Sequence, residues 1–269
     1  MKKRIILSII LPIALLLGLL IIYIGNGMIQ NRKLITAIEK DNYVEAEKAI
    51  EKGAFVNCKE YPVPISVFVE TNQTPLTLAC KKSNEKFIKL LVENGANVNK
   101  DGIAGFSPLI VVLLSNEQNR FGVARYLIDN GADINAITNN KISVLKSCIE
   151  VTSNDNELTK QEGVQFLKDL LELDVNLNML VPHNLLTYAA QCNNENVVEY
   201  ILDDDICSVN DRDESGFTAL MRASCMGHDG IVKLLLNNGA DKFIKNSEGK
   251  TALDLAKEYK QEKIIELLE

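Results

Sequence analysis

The chain has no tryptophan, only two histidines, and aromatic residues amount to 6% of its 269 positions. General-base and metal chemistry lean heavily on imidazole, so this scarcity narrows the catalytic options at once. Its six cysteines (Cys58, Cys80, Cys148, Cys192, Cys207, Cys225) stand at wide intervals with no CxxC pair. Structural metal sites need tighter spacing, and disulfide frameworks belong to short secreted chains with little core. Cys80, Cys148 and Cys225 fall on short helical stretches and read as small buried hydrophobes. No glycine-rich phosphate loop occurs. The run Asp203-Asp204-Asp205 lacks the alternating ligands, central glycine and terminal glutamate of a calcium loop.

The first 30 residues contain no acid; Lys2, Lys3 and Arg4 are their only charges. The remainder then holds 26 Lys and Arg against 36 Asp and Glu, a net charge of −10. Such an acidic body has no electrostatic footprint for a phosphate backbone, which excludes nucleic acid as a partner. Catalysis by a Cys–His pair is no better supported. Cys192 lies nine residues from His183 and Cys225 three from His228, and neither pair shows an orienting third group. No enzyme activity, cofactor, metal or small-molecule substrate is expected.

One long hydrophobic run is present. Ile5 to Ile24 is 20 residues without a charge, and as a helix it would span ~30 Å, the thickness of a bilayer's hydrocarbon layer. A retained transmembrane signal anchor over residues 5–25 is the reading, with residues 1–4 cytoplasmic. A cleaved signal peptide is the alternative, although its apolar stretch would be shorter and Tyr23-Ile24-Gly25-Asn26-Gly27 is a weak cleavage site. No cysteine near the end of the run offers a lipid attachment point. The Lys2-Lys3-Arg4 cluster outweighs Arg32 and Lys33, which places the body outside the cytoplasm, at the cell surface or in a periplasm.

From residue 32 onward the sequence repeats. Thr74-Pro75-Leu76, Ser107-Pro108-Leu109, Ser143-Val144-Leu145, Asn184-Leu185-Leu186, Thr218-Ala219-Leu220 and Thr251-Ala252-Leu253 recur at intervals of 33, 36, 41, 34 and 33 residues. A second marker keeps the same period: Gly53–Asn57, Gly95–Asn99, Gly131–Asn135, Asp174–Asn178 and Gly239–Phe243. Thr or Ser before Pro is an N-cap followed by the one helical position where a missing N–H is harmless. Leu76, Leu78 and Ala79 then form a short apolar face. Phe87-Ile88 and Leu90-Leu91-Val92 form a second at helical spacing, and Gly95 sits where a left-handed cap is needed. Neither helix can bury its face alone, so neighbouring units must stack.

These features resemble the ankyrin repeat family. The residues that carry the resemblance are Thr74–Ala79, Thr218–Ala223 with Gly227-His228, and the Gly-Ala-(Asp/Asn)-(Val/Ile)-Asn endings. The resemblance implies an all-α ankyrin-repeat solenoid, curved slightly, with β-turn fingers and a concave face that binds proteins; the apolar run adds one transmembrane helix ahead of it. Seven units are read, at about 32–57, 74–99, 107–135, 143–178, 184–210, 218–243 and a polar-faced cap at 251–269. It also implies a structural role for His228 in its Gly-His turn. The histidine of the family's Thr-Pro-Leu-His opening is absent, replaced by Thr77, Ile110, Lys146, Thr187, Met221 and Asp254, which implies weaker ties between units. Thr152–Glu162 reads as a long solvated loop within unit four.

The sites of protein binding are sought where fingers depart from short polar loops. Cys58–Gln73 carries Tyr61, Ile65, Val67 and Phe68, enough for a short hairpin or an exposed apolar patch. Ile103 and Phe106, Glu214 and Phe217, and Lys250 occupy finger positions by alignment, and aromatics there suit contact hot spots. The expected function is protein–protein interaction or scaffolding on a membrane, through the concave face and fingers. A secreted effector released after signal cleavage is the alternative. The compact repeats and simple anchor have a bacterial look; the partner's identity is not legible.

Overall fold

The computed structural model describes residues 2–58, 73–152, 157–181 and 183–269, apart from the side chains of residues 2–14, 20, 21 and 157. The expected hairpin with Tyr61, Ile65, Val67 and Phe68 lies outside the described residues. Fourteen α-helices follow one another in seven successive pairs among them. They are α1 Lys2–Glu39 with α2 Tyr43–Glu51, α3 Pro75–Lys81 with α4 Glu85–Glu93, and α5 Pro108–Leu113 with α6 Arg120–Asp129. Next come α7 Val144–Thr152 with α8 Glu157–Glu172, and α9 Leu185–Gln191 with α10 Glu195–Asp203. The last are α11 Ala219–Met226 with α12 Asp229–Asn237, and α13 Ala252–Glu258 with α14 Glu262–Leu268.

Local chemistry sets where each helix starts and stops. The first helix of a pair opens on Thr74, Ser107, Asn184, Thr218 or Thr251, whose side chain accepts the backbone N–H three residues on. Thr77, Thr187 and Asp254 reach back to the N-cap amide and complete capping boxes. Those three occupy the place of the missing family histidine. The second helix of the first six pairs ends in one motif. Gly95 N–H donates to Val92 O and Ala96 N–H to Leu91 O, with Gly95 at a φ of +83°. The same two bonds recur after α2, α6, α8, α10 and α12. At two of these positions an aspartate, Asp174 or Asp205, holds the left-handed conformation in place of glycine.

The chain divides into two compact units. One holds the described residues up to Ser115 with Tyr126–Ala132; the other holds Asn116–Arg125 and Asp133–Glu269. The first unit's core is built from Leu34, Ile38, Leu76, Phe87, Ile88, Leu91, Leu109 and Leu127, all at or below 1% exposure. The second unit's core is built from Phe121, Phe166, Leu186, Val197, Ile231, Leu235, Leu255 and Ile264. Helix α14 buries Ile264 and Leu268 and exposes Glu262, Lys263 and Glu266, the amphipathic division of a helix covered on one side only.

Helix α1 runs 38 residues without interruption, from the apolar run into the first pair. Leu15, Leu16, Leu17, Leu19, Ile22 and Tyr23 are more than half exposed, whereas Leu34 and Ile38 are fully buried. Among the described residues no helix is long and apolar enough to cross a membrane. Side chains of residues 5–14 lie outside that description.

Two expectations need correction. Most of the stretch read as a loop over Thr152–Glu162 is helix, because α8 begins at Glu157 and spans 16 residues against nine in α10 and α12. Thr159 is buried and Gly163 lies against Thr152, so the extra turns are held by packing on α7. Cys80 and Cys148 are buried as expected, but Cys225 is only half-buried.

Candidate protein-interaction surface

The loops before α5, α7, α11 and α13 are each closed by the residue five positions ahead of the N-cap. In the second unit Asp213 N–H donates to Phe217 O at 2.8 Å. One oxygen of the Asp213 carboxylate accepts the Ser215 and Phe217 amides, each at 2.9 Å. The other accepts Arg222 Nε at 3.0 Å and is also bonded by Arg222 Nη2. Asn246 repeats the arrangement in the next loop, accepting from the Glu248 and Lys250 amides at 3.0 Å. Thr138 does so with a hydroxyl, accepting the Ile142 amide at 3.0 Å. In the first unit the same position is Gly102, so that loop has no side-chain acceptor. It closes through Gly102 N–H to Phe106 O at 2.9 Å, over the turn Ile103–Gly105.

Around Asp213 the second unit assembles a continuous aromatic and charged strip. The Arg222 guanidinium lies 4.1 Å from the centroid of the Phe217 ring, a cation–π stack fixed at the other edge by the carboxylate. His183 Nδ1 stands 3.6 Å from the second Asp213 oxygen, beyond a hydrogen bond. The His183 and Tyr188 rings are 5.4 Å apart, and Tyr188 Oη donates to Glu150. Lys146 Nζ is 5.8 Å from the centroid of the Tyr188 ring. Burial, reinforced by the Arg222 charge, pulls the His183 pKa below its ordinary value and outweighs the attraction of Asp213. Burial and the Glu150 bond push the Tyr188 phenol up.

The residues expected at binding positions divide accordingly. Glu214 is exposed and Phe217 half-buried at the tip of the Asp213 loop; Lys250 bridges Glu248 at 2.9 Å and Glu258 at 2.7 Å at the base of the next. Ser247 Oγ donates to Ser215 O at 3.0 Å and holds these two loops together. Ile103, 40% exposed, and Phe106, half-buried, sit on the first unit's loop. The site residues not anticipated are His183, Tyr188, Asp213 and Arg222. Their signal was present but subtle, since Asp213 and Asn246 occupy one repeat position, as do Tyr188 and Arg222.

Two ladders of side-chain bonds tie pairs together and do the work of the absent histidine. The asparagines Asn57, Asn99 and Asn135 that end three of the markers, and Asn210 one repeat before Phe243, each reach the following loop. Asn57 Nδ2 donates to Gly95 O at 2.9 Å while its oxygen accepts the Asn97 amide at 2.6 Å. Asn99 Nδ2 donates to Gly131 O at 2.8 Å, and the Asn135 oxygen accepts the Asn176 amide at 2.8 Å. Asn210 accepts the Asp241 amide at 2.8 Å. In the Gly239–Phe243 marker this asparagine is replaced by Phe243, 75% exposed. The second ladder runs from the start of the second helices. Asn194 Nδ2 donates to Ile149 O at 2.8 Å, His228 Nε2 meets Gln191 O at 3.0 Å, and Gln261 Nε2 donates to Cys225 O at 3.2 Å.

A family model described as ankyrin repeats in three copies matches residues 34–138 and 157–246. The chain belongs to the ankyrin repeat family. The ankyrin repeat protein YahD of Escherichia coli (strain K12) is 27% identical over 199 residues, 71% of this chain and 92% of YahD. The ankyrin repeat domain of human ASB11 superposes with a TM-score of 0.66 at 24% identity, over 88% of this chain and 97% of that one. The ankyrin repeat domain of Bcl-3 gives 0.62 at 22%, over 87% and 97%. At these identities the two structures speak for the fold alone. The chain spans no more than 14% of several longer curated proteins that it also matches, so their whole-chain activities do not transfer.

The ankyrin fold is typically a non-enzymatic interaction module. Among the described residues no group of three or more His, Cys, Asp or Glu could hold a metal ion. All six thiols have pKa values raised by burial, Cys192 to about 12 and Cys207 to about 11. A nucleophilic cysteine needs the opposite shift.

Proposed function

We propose that this protein is a membrane-anchored ankyrin module that captures a protein partner on the loop tips and first helices of its repeats, displayed outside the cytoplasm of a bacterium. The observation that supports it is the Arg222–Phe217 stack: an arginine and an aromatic, the types enriched at binding hot spots, held rigid by a buried carboxylate at the base of an exposed loop. Pre-ordered side chains lose little conformational entropy on binding. The breadth of the match to YahD supports a bacterial source.

Anchoring is supported by the charge-free run Ile5–Ile24 and by the wide exposure of Leu15, Leu16, Leu17, Leu19 and Ile22, a surface too apolar to leave in water. Release as a secreted effector is the second reading, and N-terminal sequencing of the mature chain separates the two: an intact Met1 or Lys2 start rejects release. The binding face is tested with a photo-crosslinking residue placed singly at Phe217, Lys250 or Ile103 of the full chain in its native membrane. Discrete adducts from these positions are expected, with none from Lys233 on α12. Equal yields from Lys233, or none anywhere, would defeat the assignment.

A further inference from the structure

We propose that the groove between α1 and α2 seats the phosphate headgroup of an anionic phospholipid, an inference that rests on the membrane reading above. One face of α1, sampled every three or four residues, passes from exposed Ile22 and Ile29, at 69% and 58% exposure, to exposed Arg32, Lys33 and Lys40. Ile29, Arg32, Lys33, Thr36 and Lys40, with Glu45 from α2, line a groove of about 500 Å³. None of the three cations enters an ion pair among the described residues, and Glu45 is the single carboxylate lining the groove. Three such cations lining one groove are out of character for a chain of net charge −7.

Geometry selects a lipid over a free anion or an acidic peptide. Because α1 has no break, depth follows from helical rise: Arg32 and Lys33 stand ~12–14 Å beyond Ile24 along the axis. The headgroup layer extends ~5–8 Å past the hydrocarbon, within reach of side chains that extend toward it. An amphiphile matches this face in sequence, with acyl carbons along Ile22, the ester region beside Ile29 and phosphate at Arg32 and Lys33. The groove is also pre-formed. A Cβ at Gly27 would stand 2.3 Å from Phe55 Cε2, and the Asn31 side chain accepts the Phe55 amide at 2.6 Å, so α1 is locked in rotation against the loop after α2.

The test uses the full chain reconstituted in phosphatidylcholine vesicles with and without phosphatidylglycerol. Flotation reads insertion, and native mass spectrometry of the released protein reads retained lipid. Each cation is worth roughly fivefold toward an anionic surface. The combined Arg32→Gln, Lys33→Gln variant should therefore float normally, with a normal circular dichroism spectrum, but retain phosphatidylglycerol about tenfold to a hundredfold less. A control that neutralises Lys233, Lys242 and Lys257 should retain it as the native chain does. Equal retention of both lipids by the native chain, or an equal drop in the control, overturns the headgroup site while leaving anchoring intact. Displacement of phosphatidylglycerol by millimolar inorganic phosphate assigns a free-anion site and also overturns it. Failure to float with either vesicle overturns both readings.

Discussion

Replacing Asp213 with alanine removes four hydrogen-bond acceptances at once and strands a cation. The carboxylate is fully buried, while the Arg222 side chain keeps 16% of its exposure. Truncating one partner of a buried ion pair costs about 3–5 kcal/mol. Arg222 can partly rehydrate and still lies on the Phe217 ring, so the lower end, about 3 kcal/mol, is expected. Asparagine at the same place should cost about half as much. Asn246 shows why: an amide oxygen there accepts the two loop amides and closes an equivalent turn. Asp213→Asn therefore keeps the loop and loses the charge that holds Arg222. Adding Arg222→Met to it should return most of the loss, since neither charge then remains. The assay is urea unfolding of the full chain, with amide exchange resolved by mass spectrometry to localise the loosening to the loop 211–217 and α11. A cost below about 1 kcal/mol for Asp213→Ala, or equal costs for alanine and asparagine, would refute the reasoning.

Gly163→Ala should destabilise by about 1–3 kcal/mol, because its Cβ would fall 1.8 Å from Thr152 Cγ2 and 3.1 Å from Phe121 Cζ. Adding Thr152→Ser removes the clashing methyl, keeps the hydroxyl bonds to Cys148 O and Ile149 O, and should restore most of the loss in the same urea assay. The lowered His183 pKa means the unfolded chain binds the extra proton first. That contribution is thus complete above the ordinary value of 6.5 and fades as pH falls below it. His183→Gln should flatten this part of the pH dependence of the urea midpoint, and an unchanged slope would contradict it. With every thiol pKa raised, and Cys80 and Cys148 fully buried, iodoacetamide near pH 8 should leave those two unlabelled in the native state and label all six in urea.

Much of the fold was legible because its rules are local. Thr74 before Pro75, or Thr218 before Ala219, announces a helix start through atoms three residues apart. A glycine after Leu90-Leu91-Val92 announces an end through the sterics of one φ angle. Stretches without such punctuation were misread. Thr152–Glu162 is polar and lacks a proline or glycine signal at its true helix start, and what makes it helical is the burial of Thr159 and the packing of Gly163 on Thr152 of the preceding helix. Of the candidate site, Phe217, Glu214, Ile103 and Lys250 were placed by counting repeat positions. His183 and Tyr188 could not be joined to Asp213 and Arg222 that way, since nothing nearby in the chain marks them as partners.

The amino-acid order alone thus determined the helix pairs, their caps and their period, because backbone hydrogen bonding and apolar spacing operate within a few residues. Tertiary structure alone decided which charges meet. The Asp213–Arg222–His183 cluster, the asparagine ladder and the unpaired cations of the α1 groove join or isolate residues up to about one repeat apart in the chain. Coulombic and desolvation energies depend on those distances through space, which only the stacking of one pair on the next establishes.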